Sequence, residues 1–118
     1  MLRIYARVCA AVLALIAIAA AVRISIVGLG VSVLYLGSAA VFAYAGIPGR
    51  TSSIIRRVVA AMGLFFLLSG LLVAFTMSVL EFPFEGRGWE LGLAHAAFGG
   101  LTMACAGLLP CSDESASR

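Results

Sequence analysis

The sequence predicts an all-α integral membrane protein: four transmembrane helices in a compact up-down bundle, forming one domain over residues 1–118. Three observations predict it. Of the 118 residues, 64% are apolar and only 11% charged, too few to coat a soluble globule of this size. The 8 basic and 5 acidic residues fall in small groups between long uncharged runs. Four of those runs approach the about 20 apolar residues that cross a hydrocarbon core of roughly 30 Å. Backbone in lipid must satisfy its hydrogen bonds within the segment, so each run is read as a helix. The same composition excludes a disordered chain, a secreted disulfide scaffold and a nucleic-acid module.

The spans are expected over residues 4–22, 24–46, 58–80 and 91–109, followed by a polar tail, 110–118. Arg3 and Arg7 ahead of the apolar run from Val8 to Val22, with its small residues Ala17, Ala19, Ala20 and Ala21, also describe a signal peptide. Arg23 and Ser25, however, lead straight into another apolar run with no polar mature domain to export, so the segment reads as an uncleaved first span. The first turn is either tight near residue 23 or spread across Ser25 to Gly30, where Gly28 and Gly30 relax the backbone. The spread turn would shorten span two to about 16 residues, roughly 24 Å at the helical rise.

The second connection is clearer. Ile47-Pro48-Gly49-Arg50 stops a helix, and Thr51-Ser52-Ser53 offers capping hydroxyls to the next. Arg50, Arg56 and Arg57 are assigned to this loop, and Arg3 and Arg7 precede span one, whereas the opposite side holds only Arg23 and Arg87. The arginine bias places both termini in the cytoplasm. The outer loop from Glu81 to Glu90 carries Glu85 and the aromatics Phe82, Phe84 and Trp89, which suit the headgroup layer. All eight basic residues are arginine, which fits a GC-rich prokaryotic genome and hence a prokaryotic plasma membrane.

The two halves match in two places. Arg7-Val8-Cys9-Ala10-Ala11 matches Arg57-Val58-Val59-Ala60-Ala61, and Ala45-Gly46-Ile47-Pro48 matches Ala106-Gly107-Leu108-Leu109-Pro110. This is either a duplicated two-helix hairpin, repeated in parallel about an axis along the membrane normal, or coincidence in an Ala- and Gly-rich chain.

Between helices in lipid, small residues allow close packing. Span four has Gly92, Ala96, Gly100 and Ala104 at every fourth position, a slowly drifting stripe expected to face another helix. Span three carries Gly63, Gly70, Ala74 and Ser78, and span one carries Ala10, Ala14, Ala17 and Ala21. Phe65, Phe66, Leu67, Leu71 and Leu72 are expected on the lipid side. The span-four stripe serves packing within the monomer or a dimer interface.

The five carboxylates, Glu81, Glu85, Glu90, Asp113 and Glu114, all lie outside the spans. Proton-coupled export through a buried carboxylate is therefore not expected, because intramembrane ionisable groups mark ion pathways. His95 is the one ionisable group within a predicted span, and with Glu90 and Glu85 it is the candidate for a shallow metal or proton site. The competing reading is a neutral imidazole hydrogen-bonded to a helix. Cys9, Cys105 and Cys111 are expected toward the inner side, where thiolates bind soft cations, although cysteine also serves as a small apolar residue. Tyr35, Tyr44, Thr76 and Thr102 either line a polar crevice or bond their own helix backbone. No catalytic group and no cofactor site can be assembled from these parts.

Arg7-Val8-Cys9-Ala10-Ala11 and the step His95-Ala96-Ala97-Phe98-Gly99 after the outer loop resemble the small four-span proteins of DoxX-like bacterial families. The resemblance implies the span count and assigns no residue a role. Three functions follow as expectations: a non-catalytic accessory or structural subunit of a membrane assembly, which the packing stripes and short loops favour; a small oligomeric transporter or channel for a neutral or soft species; and a metal- or redox-handling subunit using His95 or the cysteines. The expected partners are the lipid bilayer and further copies of the chain or other membrane subunits, with no nucleic acid.

Overall fold

A computed structural model of the chain describes residues 1–22, 26–79 and 88–110. Four α-helices follow one another: α1 (Leu2–Val22), α2 (Ile26–Ala45), α3 (Ser52–Val79) and α4 (Gly88–Leu108). Three contain stretches long and apolar enough to cross a membrane: Leu2–Val22, Ser52–Thr76 and Trp89–Leu108. Helix α2 is also apolar, from Ile26 to Ala45. Residues 23–25, 80–87 and 111–118 lie outside the described residues, and with them the expectations for Arg23, Glu81, Glu85, Arg87, Cys111 and the tail.

Two helix starts refine the sequence boundaries. Helix α2 is already formed at Ile26, so Gly28 and Gly30 are helical and the spread turn across Ser25 to Gly30 does not occur. Helix α3 begins at Ser52, ahead of the expected residue 58, and Arg56 and Arg57 are helical rather than in a loop. The Thr51 carbonyl explains this start, accepting the backbone N–H groups of Ile54 and Ile55 at 3.1 Å each. Arginine continues such a turn readily because it is a good helix former whose stem lies along the helix surface. Between α2 and α3 lies Gly49, whose φ of 85° is left-handed and disfavours any side chain.

The chain divides into two compact units, Met1–Val58 with Leu109–Arg118, and Val59–Leu108. In the first, α1 packs against α2. The buried positions of α1 are Leu2, Ala6, Cys9, Leu13 and Ala17, which follow one helical stripe. This differs from the expected alanine row: Ala17 is shared, but Ala10 and Ala14 are only half-buried and Ala21 is exposed. The buried stripe mixes leucine with the small residues alanine and cysteine, so alanine content alone does not locate it. Across the hairpin the Ser32 hydroxyl donates to the Ala17 carbonyl at 2.8 Å.

One end of this unit gathers arginines onto backbone carbonyls, two of them just past helix C-termini (Gly46 and Leu109) and one, Arg50, in the connection between α2 and α3. Arg7 Nε donates to Gly46 O at 2.8 Å, Arg3 donates to Arg50 O at 3.2 Å, and Arg56 donates to Leu109 O at 3.4 Å. The Leu2 amide reaches Pro110 O at 3.5 Å. The carbonyls at a helix C-terminus have no intrahelical partner and carry the negative end of the macrodipole, so a guanidinium is the favoured cap. Arg7 and Arg56, each near the start of one helix, thus serve carbonyls just ahead of Pro48 and Pro110.

In the second unit α3 and α4 approach backbone to backbone. A Cβ on Gly63 would stand 2.8 Å from Met103 N and 2.9 Å from Gly99 O, and one on Gly92 would stand 2.8 Å from Ala74 Cα and Gly70 O. At Gly70 it would strike the Ala96 amide, and at Gly99 the Leu67 amide. The α4 side of this seam therefore runs Gly92, Ala96, Gly99, Met103, in steps of four, three and four. That alternation keeps one stripe facing a partner helix, whereas a constant step of four drifts around the axis.

Candidate functional site

His95, the one histidine of the chain, lies two turns into α4 and is half-buried. Its Nδ1 is 2.7 Å from the carbonyl of Leu91, one turn earlier on the same helix. A carbonyl only accepts, so Nδ1 carries the proton and donates. The ring stacks on Phe66 of α3 with centroids 6.0 Å apart and an interplanar angle of 26°. Phe66 in turn meets Phe98 edge to face at 5.1 Å. The imidazole is thus held on one side by its own helix and on one face by an aromatic from the neighbouring helix.

Phe66 is where the sequence reading needs correction. It was expected to face lipid, but it is 1% exposed and stands at the centre of the ring cluster. Leu67 is half-buried, while Phe65, Leu71 and Leu72 are exposed as the sequence suggests. The run of adjacent bulky residues on α3 wraps more than one helix face, so one of its members must enter the seam. The signal that finds it is spacing: Ile55, Val59, Gly63, Phe66 and Gly70 are all buried, in steps of three and four.

The predicted metal pair is not brought together in this way. Glu90 is exposed in the first turn of α4. Five positions separate it from His95, a rotation of about 140° around the helix, so the two side chains leave α4 on different faces. Among the described residues no group of three His, Cys, Asp or Glu side chains is placed to hold a metal ion. Cys9 is buried in the first unit and Cys105 is half-buried in the second.

The predicted packing residues divide in two. Gly92, Ala96, Gly70 and Ala74 all stand at the α3–α4 approach. A side chain at Gly100 meets nothing within 4 Å, and Ala104 is exposed. After Ala96 the seam passes through Gly99, a residue the four-step stripe omits.

Apart from Ser32, which bonds across to α1, four hydroxyls within the helices are turned back on their own helix. Ser38 donates to Leu34 O at 2.9 Å, Thr102 to Phe98 O at 2.8 Å, Thr76 to Leu72 O at 2.9 Å, and Ser69 to Phe66 O at 3.3 Å. Such bonds give a hydroxyl in an apolar helix a partner without help from a ligand. No family model, curated protein or solved structure matches the chain.

Proposed function

We propose that this protein is a multi-pass membrane protein, its four helices inserted as an up-down bundle, that acts as a non-catalytic accessory or structural subunit of a membrane assembly. The observation that carries this reading is the direction of the polar side chains: Ser38, Ser69, Thr76, His95 and Thr102 each bond a carbonyl of their own helix. A transporter or enzyme instead presents converging polar groups to a substrate. Large apolar side chains exposed on every helix, among them Leu15, Leu36, Leu72 and Leu101, supply surface for lipid or for other membrane subunits.

The arginine-rich end supports an orientation with both termini in the cytoplasm of a prokaryote, across its plasma membrane. The test is purification of the tagged protein in mild detergent, with identification of every co-purifying polypeptide, metal analysis and a visible spectrum on the same sample. A stoichiometric foreign membrane protein is the expected result. A homo-oligomer carrying metal or a chromophore would overturn the subunit reading in favour of metal handling or transport.

A further inference from the structure

We propose that the arginine-lined end of the first unit is a seat for the phosphodiester headgroup of an anionic phospholipid; this rests on the membrane reading above and adds a ligand to it. Arg7, Arg50, Arg56 and Arg57 all belong to this unit. The one carboxylate among the described residues is Glu90, which belongs to the second unit, so the described part of the first unit holds none. The charge at the arginine end is therefore not balanced by the described part of the chain.

The guanidinium groups are held but not saturated. Arg7 gives one hydrogen bond to Gly46 O and Arg56 one to Leu109 O, while a guanidinium carries five N–H donors. Arg50 lies with its guanidinium carbon 4.0 Å above the Tyr44 ring, and its buried Nε makes no hydrogen bond among the described residues. The helix-end carbonyls and the Tyr44 ring hold these groups in place and leave donors over. Exposed Tyr44 and Ile47 flank them, an aromatic and an aliphatic surface of the kind found at headgroup depth.

The basic residues of this end are all arginines. The guanidinium fork engages two phosphate oxygens at once, which an ammonium cannot do. Basic clusters at the cytoplasmic ends of helices recognise anionic headgroups by this chemistry. The competing occupant is the chain's own tail, in which Asp113 and Glu114 follow Pro110 closely.

The full chain is reconstituted into vesicles of equimolar phosphatidylglycerol and phosphatidylcholine, checked for insertion by alkaline carbonate extraction, released in mild detergent and weighed by native mass spectrometry. The expected result is a preference for retained phosphatidylglycerol of about tenfold. The triple variant R50K/R56K/R57K should insert as well but lose most of that preference. An inserted wild-type protein retaining both lipids equally would overturn the proposal, as would a triple lysine variant with undiminished preference. A preference abolished by millimolar inorganic phosphate would assign the seat to a soluble anion instead. One that emerges only in D113N/E114Q would assign it to the tail. Failure to insert at all would overturn the membrane reading, and the headgroup seat with it.

Discussion

The two helix pairs use glycine in opposite ways. In α3 and α4 the glycines are the contact: Gly63, Gly70, Gly92 and Gly99 each sit where a single added carbon would strike the facing helix. In α2, Gly30 and Gly37 have nothing within 4 Å of where a side chain would begin, and α1 and α2 are joined by side chains, with Ser32 reaching Ala17 O and Arg7 reaching Gly46 O. The second pair thus meets backbone to backbone at four glycines with the Phe66–His95 stack beside them, whereas the first has one close glycine, Gly46 against the Arg7 stem, and is otherwise joined by particular side chains. Glycine count says little about how a helix packs; what stands opposite each glycine says nearly everything.

The largest effect expected from this comparison is at the seam. Gly99→Leu or Gly70→Leu places a whole side chain against backbone amides that no rotamer change can move, and the α3–α4 pair should separate. Gly99→Ala and Gly70→Ala should each cost at least about 1–3 kcal/mol, the usual range for overpacking. Gly100→Leu, one residue from Gly99 but with open space ahead of it, should change stability little. Reversible unfolding in mixed detergent micelles measures all five. Equal losses at Gly99 and Gly100 would show that the seam follows a different register.

The contrast between Gly99 and Gly100 also marks where sequence reasoning stops. The helices were legible because hydropathy and charge placement act locally: four apolar runs become four helices, and Pro48 and Gly49 end α2. The seam was half legible. Small residues at every fourth position pick out Gly92 and Ala96 correctly, but four residues turn a helix by about 400°, and the stripe drifts off the contact within two more steps. Deciding between Gly99 and Gly100 needs the partner helix, and so does recognising that Phe66, in a run of bulky residues, is the one that turns inward. The candidate site was legible only as His95; its partners Phe66 and Phe98 are set by the register of α3 on α4.

In the first unit the expected effects are smaller because each is one polar contact. Arg7→Ala removes the cap on Gly46 O and, with it, a favourable charge at a helix C-terminus, for about 0.3–1 kcal/mol. Arg7→Lys should recover the charge part of that but not the directed Nε bond. Ser32→Ala removes the bond to Ala17 O and should cost about 0.6 kcal/mol, the average measured for polar contacts between membrane helices. The same unfolding assay ranks them. A Ser32→Ala loss as large as that of Gly99→Ala would mean that this hairpin, too, depends on a single close approach.

The smallest effect is the most informative in sign. Gly37→Ala fills open space and removes glycine's backbone freedom from a helix interior, so it should be neutral or stabilising by up to about 1 kcal/mol, opposite to Gly99→Ala. That sign follows where only lipid or detergent stands against this face of α2. If another copy of the chain packs there, its backbone would occupy the space that looks empty in a single chain, and Gly37→Ala would destabilise instead. That loss would grow with protein concentration, since it would belong to association and not to the hairpin. Unfolding of Gly37→Ala at two protein concentrations therefore separates an α2 that faces lipid from one that faces a second protomer. A loss independent of concentration would place the obstruction within the chain itself.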